Sequence, residues 1–371
     1  MEARKAVRAA GRWIGLAVLF LVVLEVCARI DDHVRWDAPM WGHYSQALLT
    51  VSDERGIHSR ANAQFEKWKL NAFEFRGREL ASEEKPAGVT RVAVLGASET
   101  FGLYESPGHE YPAQMGRMLN GGHVGRYEVL NAGCAGMTLP RFTHYFGVWI
   151  KRFEPDVVVI YPTPASYVSE QAPQLEVKPA GGPARELRDN LRIAGKAKIV
   201  LKSFIPARIQ GWVRERQLSA RIRGKPPGWV WEGPPAERVE RFRADLRKLV
   251  RTVQATGAAV ILATHANRFP ADRAKWTALD TAQMMAWRES YPRASADCLL
   301  SMEDRGNEVV REVATELGTG LVDVAGAVPK DAAHFADFAH FTDEGARRVA
   351  AALAEAVRAV ERAGRGGASS P

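Results

Sequence analysis

Cysteine is scarce in this chain, whose 371 residues contain only Cys27, Cys134 and Cys298. Three cysteines are too few for a disulfide framework and none lies in a C-x-x-C pair, which argues against a dithiol redox centre. The sequence leaves a single Cys134–Cys298 bridge open. Zinc-type cysteine and histidine spacing, a P-loop and an RNA-binding aromatic motif are also missing. Nucleic acid is therefore not expected as a partner.

Long apolar runs are missing as well, apart from one near the N-terminus. It covers residues 13–24, is interrupted by Glu25, and follows four basic residues. The run is shorter than the roughly 20 residues of a spanning helix and nearer the length of a signal-peptide core. Because Arg12 can extend towards the headgroups, a helix over residues 11–29 is still long enough to insert. We expect residues 1–30 to form an uncleaved membrane anchor, with a signal peptide as the alternative.

The basic residues before this run predict its orientation. Because Lys and Arg are retained on the cytoplasmic side of a membrane, we expect the N-terminus in the cytoplasm and the rest of the chain outside. The expected location is the cell inner membrane, as a single-pass protein whose main domain is extracytoplasmic, in the periplasm.

Five apolar segments alternate with helical patterns after this point. They cover residues 90–98, 127–133, 155–163, 258–267 and 320–328. Continuous apolar strands separated by helices indicate a parallel sheet covered on both faces. We therefore predict an α/β fold, a three-layer α/β/α sandwich whose five-stranded parallel sheet has the flavodoxin-like order 2-1-3-4-5. In such folds ligands bind beyond the carboxyl ends of the strands.

The remaining segments complete the predicted organisation. Residues 31–88 form a lead-in packed on the main domain, which covers residues 89–364 and is followed by a flexible tail, 365–371. A long insertion, at about 170–235, separates the third and fourth strands.

This insertion carries most of the excess positive charge of the chain. Twelve Lys or Arg residues lie between Arg185 and Lys225, against three acids. Such a surface favours anionic partners such as phospholipid headgroups or acidic polysaccharide, or is simply solvated beside a membrane. The insertion also contains Trp212, Trp229 and Trp231. Their rings can stack on sugars, pack in the core or lie at a membrane interface.

Glycine-containing turns follow the first two strands. The first strand ends in LGASETFG, which places Ser98 where the strand turns into the next segment. A serine there can direct its hydroxyl out of the sheet, and backbone N–H groups after it can face an oxyanion. The second strand ends in NAGCAG, where Gly133 and Gly136 leave backbone amides uncovered. Each turn alone is equally explained as an ordinary glycine turn.

The stretch DAAHFADFAH contains the pattern D-x-x-H twice, as Asp331 with His334 and as Asp337 with His340. The second pair lies directly before the predicted last helix, at the carboxyl edge of the sheet. The first pair lies in the preceding loop. Taken alone, such a pair is more often part of a surface loop than of a site.

Together these motifs resemble the SGNH/GDSL hydrolase family over about residues 70–362. LGASETFG is similar to the first block of the family, with Ala97 in place of the usual Asp before the nucleophile, Ser98. NAGCAG is similar to the second block, whose oxyanion glycine corresponds to Gly136. DFAHFTDEG is similar to the fifth block, and LNAFEFRGRE (70–79) to a lead-in of membrane-tethered members.

The resemblance implies a mechanism and selects one of the two D-x-x-H pairs. Ser98 would attack an ester carbonyl, His340 would accept its proton, and Asp337 would hold the imidazole in the right tautomer. The backbone N–H groups of Ser98 and Gly136 would stabilise the oxyanion. No metal or organic cofactor is implied.

One block of the family pattern is missing. The third block supplies an Asn as a further oxyanion donor, but here the third strand ends in YPTPASY and Pro164 takes that position. Proline has no N–H group to donate, and loss of one such donor costs about 10²–10³ in turnover. The residues that are candidates for replacing the donor are Tyr161, Thr163, Ser166, His265 and Asn267.

The function expected from these features is serine-dependent hydrolysis of an acyl ester. The expected substrate is an O-acyl (acetyl) group on an extracytoplasmic carbohydrate, or a small ester. One alternative is an O-acyltransferase that acts on a surface polysaccharide. Another is a non-catalytic glycan-binding or scaffold module, which Pro164 favours and which the presence of Ser98, Asp337 and His340 in order disfavours.

Overall fold

A computed structural model of the chain describes residues 2–41, 49–121, 125–168 and 190–367. The strands are β1 (Thr50–Asp53), β2 (Gly56–Ser59), β3 (Gln64–Phe65), β4 (Trp68–Lys69), β5 (Thr90–Gly96), β6 (Tyr127–Asn131), β7 (Val157–Tyr161), β8 (Ala259–Ala263) and β9 (Gly320–Val322). The helices are α1 (Glu2–Trp36), α2 (Ser98–Phe101), α3 (Tyr111–Leu119), α4 (Leu139–Val148), α5 (Arg192–Phe204), α6 (Ala207–Ile222), α7 (Ala236–Gln254), α8 (Ala278–Ser290), α9 (Ala296–Leu317), α10 (Val324–Ala327) and α11 (Asp343–Gly367). Residues 170–189 of the predicted insertion lie outside the described ranges.

Strands β5 to β9 form one parallel sheet in the order β6-β5-β7-β8-β9. This is the predicted order 2-1-3-4-5, so the predicted fold class is confirmed. The fifth strand is shorter than expected, because the apolar segment 320–328 is divided between β9 and the short helix α10. A short apolar run does not by itself distinguish a strand from a buried helix.

Both faces of the sheet are covered by helices. Alternate residues of β5 point to opposite faces, so that Val92 and Val94 pack under α3 and α11 while Ala93 and Leu95 pack under α4, α7 and α9. Helix α11 continues past residue 364 to Gly367, into the segment predicted as a tail.

The lead-in forms two small hairpins and then joins the edge of the sheet. Strands β1 and β2 pair antiparallel, as do β3 and β4. The backbone N–H of Arg76 donates to the carbonyl of Asn131 at the end of β6, 3.1 Å away. The side chain of Arg76 is buried and donates to the carbonyls of Phe101 and Gly102. The lead-in therefore supports the loop that follows Ser98.

Helix α1 contains the apolar N-terminal run. Its segment Ala10–Trp36 is long and apolar enough to cross a membrane, and 6% of its most apolar window is buried. A signal sequence near the N-terminus passes the same test. Cys27 on this helix is exposed, whereas Cys134 and Cys298 are buried in the main domain. All three thiols are free, so the bridge that the sequence left open is not formed.

The contact between Gly306 of α9 and Pro164 gives a test of this packing. A Cβ atom at Gly306 would lie 2.3 Å from Cβ of the rigid Pro164 ring, so we expect Gly306→Ala to lower the free energy of unfolding by about 1–3 kcal/mol. Gly147 of α4 is the matched control, because nothing lies within 4 Å of its Cβ position. We expect Gly147→Ala to be neutral or to stabilise by up to about 1 kcal/mol. Denaturant unfolding measures both, and equal effects would contradict the close contact.

Candidate active site

Ser98 is the first residue of α2 and follows β5 after one intervening residue. The turn requires a glycine two residues before Ser98 and another four residues after it. A Cβ at Gly96 would lie 1.9 Å from Oγ1 of Thr100, and Gly102 has a φ of 85° with Arg76 Nη1 2.8 Å from its Cβ position. This tight strand-to-helix turn holds a half-buried Ser98 at the carboxyl edge of the sheet.

Ser98, His340 and Asp337 form one continuous hydrogen-bonded chain. The Oγ atom of Ser98 lies 2.8 Å from Nε2 of His340. The Nδ1 atom of His340 lies 2.8 Å and 2.9 Å from the two carboxylate oxygens of Asp337. A proton on Nδ1 is thus held by the carboxylate, which leaves the Nε2 lone pair facing the serine hydroxyl.

The backbone around Asp337 keeps this carboxylate in place. Its Oδ1 atom accepts the N–H groups of Ala339 and His340, at 3.0 Å and 2.9 Å. The side chains of Asp337 and His340 are 13% and 12% exposed. Burial by itself would raise the pKa of Asp337, but the hydrogen bond and charge of His340 outweigh it and hold that pKa below its usual value.

The pKa of His340 is shifted by its acidic surroundings. Burial would lower it, but the hydrogen bond and charge of Asp337, with the charges of Glu99 and Glu105, outweigh burial and raise the pKa above 6.5. Tyr104 adds an aromatic contact, since its ring lies 5.3 Å from the imidazole. Burial and the neighbouring Asp337 carboxylate raise the pKa of this tyrosine to about 12, so its hydroxyl stays protonated.

The other D-x-x-H pair has the same local geometry in a different place. Nδ1 of His334 lies 2.8 Å from Oδ1 of Asp331, which also accepts the N–H of His334. The backbone carbonyl of His334 accepts the N–H of Thr342 just before α11. Both pairs therefore order their own loop, but the described hydrogen bonds of the Ser98 side chain involve only His340 and Glu99.

Gly136 lies in the turn after β6, at the same edge of the sheet as Ser98. Its φ is 76°, a left-handed conformation that favours glycine, and it is exposed. Ser98 begins a helix, so its amide has no acceptor within that helix. The structure therefore has both predicted oxyanion amides in turns at the carboxyl edge.

The loop after β7 shows how the sequence accommodates Pro164. The N–H of the next residue, Ala165, donates to Oε1 of Glu303 at 3.1 Å, and the proline ring packs on α9. Among the candidate replacement donors, the hydroxyl of Ser166 already donates its proton to the carbonyl of Thr163, 2.7 Å away. The Oγ1 atom of Thr163 is buried and has no hydrogen-bond partner in the described structure.

The other candidate donors lie in or beside β8 and β7. Tyr161 accepts the N–H of Ala266 at its hydroxyl oxygen, 2.9 Å away. Asn267 is buried and its Oδ1 accepts the N–H of Phe269 at 3.1 Å. His265 is fully buried and is held between two carboxylates.

These two carboxylates, Glu99 and Glu303, were missed by the sequence analysis. Nδ1 of His265 lies 2.5 Å from Glu303, and Nε2 lies 3.4 Å from Glu99. Asn307 holds the backbone of His265 with two further hydrogen bonds, of 2.7 Å and 2.9 Å. Oε2 of Glu99 is also 3.3 Å from Oγ of Ser98. A buried Glu303–His265–Glu99 network thus ends at the candidate nucleophile.

The network is charged. Burial would lower the pKa of His265, but the charges and hydrogen bonds of Glu303 and Glu99 outweigh it and raise the pKa to about 10. Burial would raise the pKa of Glu99, but the hydrogen bond from His265 and the charges of His340 and His265 lower it. The one sequence signal for this network is a Glu directly after the candidate nucleophile.

A cavity of about 420 Å³ lies on the Asp337 side of this site. Its polar lining includes Tyr104, Arg214, Arg221, Glu289 and Asp337. The three tryptophans of the insertion lie elsewhere. Trp229 and Trp231 pack on the guanidinium of Arg293, and Trp212 is 57% exposed on α6. In the described ranges, no group of three or more His, Cys, Asp or Glu side chains is suited to hold a metal ion.

Comparison with known proteins finds similar solved structures. No family model and no curated protein match the chain. An alpha/beta hydrolase enzyme, LAE5, from the metagenome of Lake Arreo, Spain, is 18% identical with a TM-score of 0.43, over 72% of this chain and 94% of that chain. A lipase/acylhydrolase from Enterococcus faecalis is 16% identical with a TM-score of 0.43, over 73% and 96%. A catalytic mutant of the acetylxylan esterase Axe2 from Geobacillus stearothermophilus is 16% identical with a TM-score of 0.41, over 72% and 94%.

The raised pKa of His340 predicts the pH dependence of any reaction that uses it as a base. Only neutral imidazole accepts the serine proton, so activity should be lost as pH falls through that pKa. We expect kcat/KM for p-nitrophenyl acetate to show an acid limb with its midpoint above 6.5. A midpoint at or below 6.5 would contradict the environment described for His340.

Removal of the Glu99 charge should change the pH midpoint of this acid limb. Since the Glu99 carboxylate helps to raise the pKa of His340, we expect Glu99→Gln to shift the acid limb to lower pH. Glu316→Gln, on the exposed face of α9, is the matched charge control and should leave it in place. Thermal unfolding of both variants checks that they are folded. An unchanged limb in folded Glu99→Gln would show that Glu99 does not act on His340.

Proposed function

We propose that this chain is a serine-dependent carboxylic ester hydrolase of the SGNH/GDSL type. The observation that supports it is the hydrogen-bonded chain from Ser98 through His340 to Asp337 at the carboxyl edge of the sheet. These three residues come from two separate turns, Ser98 after β5 and the other two before α11, and such a serine, histidine and aspartate arrangement performs acyl transfer on unrelated folds.

In the proposed mechanism, Oγ of Ser98 attacks the ester carbonyl while Nε2 of His340 takes the hydroxyl proton. Asp337 stabilises the imidazolium that forms. The N–H groups of Ser98 and Gly136 donate to the oxyanion of the tetrahedral intermediate. The intermediate collapses when the alcohol leaves with the proton from His340, and water then hydrolyses the acyl-enzyme by the same steps in reverse.

We further propose that the substrate is an O-acyl, for example acetyl, group on an extracytoplasmic carbohydrate or a small ester. The polar cavity beside Asp337, with its tyrosine and two arginines, supports a hydroxylated rather than a long apolar ligand. Helix α1 would anchor the chain in the cell inner membrane, with the main domain in the periplasm. The apolar segment of α1 and its basic N-terminal flank support this location.

Two features favour a second candidate, a non-catalytic glycan-binding or scaffold module. Pro164 supplies no donor where the family has Asn. The Glu99 carboxylate also lies 3.3 Å from Oγ of Ser98, and a negative charge there opposes a developing oxyanion. Both features are expected to slow any acyl transfer through Ser98, whether water or a sugar hydroxyl accepts the acyl group.

Reaction with a fluorophosphonate tests the proposal directly. We expect mass spectrometry to find a covalent adduct on Ser98 of the full chain, and Ser98→Ala to abolish both the adduct and hydrolysis of p-nitrophenyl acetate. His340→Ala should lower the rate by about 10⁴ or more, since the serine then loses its base. No adduct on folded protein would reject the hydrolase proposal in favour of a binding module.

The two D-x-x-H pairs supply a matched control for this experiment. His334→Ala removes an imidazole with the same local carboxylate contact but without a described contact to Ser98, and we expect nearly unchanged labelling. Equal losses in His334→Ala and His340→Ala would contradict the assignment. An adduct on Ser98 together with acyl transfer to an added oligosaccharide faster than hydrolysis would identify a transferase.

A further inference from the structure

Helix α5, the short link after it and the first part of α6 expose an unusual number of large apolar side chains. Six of them, between 43% and 79% exposed, form what we call the α5–α6 patch: Ile199, Leu201, Phe204, Ile205, Ile209 and Trp212. They occur within fourteen consecutive positions of the chain. Such a concentration of exposed apolar side chains marks a contact with a partner or a membrane.

The part of the patch on α6 faces away from the main domain, because the opposite side of α6 is already packed. Gly211 lies against α8, with the backbone of Ala282 3.5 Å from its Cβ position, and Leu218 is buried. Ile209 and Trp212 point away from these contacts and are half exposed. The patch therefore belongs to a surface and not to the core of the main domain.

Basic side chains accompany the patch. Lys198, Arg208 and Arg216 are exposed on the same two helices. The guanidinium of Arg216 lies 5.4 Å from the ring of Trp212. Apolar side chains with a tryptophan and flanking Lys and Arg are the composition of helices that lie in the interface of an anionic bilayer. Basic residues near such a surface add electrostatic attraction to its anionic headgroups.

The start of α5 is joined to α1 by buried charges. Arg192 pairs with Asp32 of α1, and Nζ of Lys196 lies 2.9 Å from the same carboxylate group. Glu25 of α1 accepts the backbone N–H groups of Arg192 and Ile193, at 3.1 Å and 2.9 Å. This joint begins directly after the exposed apolar part of α1. Since α5 is about 20 Å long, the exposed apolar side chains of α5 lie within that distance of this joint.

We propose that the α5–α6 patch lies in the headgroup and upper acyl region of a bilayer that contains anionic phospholipid. This contact is separate from the span proposed for α1 and does not depend on the catalytic proposal. It has a consequence for the site, because α6 also supplies Arg214 and Arg221 to the cavity beside Asp337. Trp212 and Arg221 are about 14 Å apart along the helix, so the cavity is held close to the lipid surface.

A fluorescent probe on the patch tests the proposal in the full chain. Phe204, 79% exposed, is changed to Cys in a Cys27→Ser background and labelled with a nitrobenzoxadiazole; the other thiols, Cys134 and Cys298, are buried. The control is Arg251→Cys, 66% exposed at the opposite, amino edge of the sheet. Both proteins are placed in vesicles of phosphatidylcholine with phosphatidylglycerol. Quenching by nitroxide-labelled lipid and by aqueous iodide is then measured.

We expect the probe at position 204 to be quenched several-fold more by lipid nitroxide, and several-fold less by iodide, than the probe at position 251. Iodide access equal to that of the control would overturn the proposal. Protection from iodide without lipid quenching would also overturn it, because protein would then cover the patch. Protection that disappears on dilution of the protein in excess lipid would assign the patch to a second copy instead. If lipid nitroxide quenches the probe at position 204 equally in vesicles of phosphatidylcholine alone, the basic side chains do not contribute to the contact.

Discussion

Parallel pairing of β5 with both β6 and β7 is the constraint on which the candidate site depends. Its register aligns Val94 with Asn131 and Gly96 with Tyr161, so the turns that follow these strands emerge at one edge. Ser98 and Gly136 occupy two of these turns. His340 reaches the same edge from the start of α11, which packs on the sheet through the same apolar face as α3. Distant chain segments thus meet because backbone hydrogen bonds fix where each strand ends.

Buried charged side chains hold the turns at this edge of the sheet in place. His265, at the end of β8, is held between Glu303 of α9 and Glu99 beside the nucleophile. Glu303 also accepts the N–H of Ala165 and so fixes the loop that carries Pro164. Removing one partner of such a network leaves an uncompensated buried charge, which costs about 3–5 kcal/mol. The turn that carries Ser98 and the loop that carries Pro164 are therefore held by the same buried network.

The insertion has a structural role that its composition alone did not reveal. Part of its positive charge is neutralised by an acidic residue of α1, since Arg192 and Lys196 pair with Asp32. Its second helix packs on α8 and contributes Arg214 and Arg221 to the cavity. The insertion therefore connects the N-terminal helix with the cavity beside Asp337.

The sequence by itself determined the sheet, its strand order and the turns that carry Ser98, Gly136 and the D-x-x-H pairs. Apolar runs, glycines and short motifs are local signals, and they carry information over a few residues. The resemblance to the fifth block selected Asp337 and His340 from the sequence, but only the tertiary structure brings this pair to Ser98, since both pairs form the same Asp–His contact within their own loops. It also decided that Glu99 and Glu303 close on His265. Those partners are up to 166 positions apart, and their contact arises from packing that no local pattern encodes.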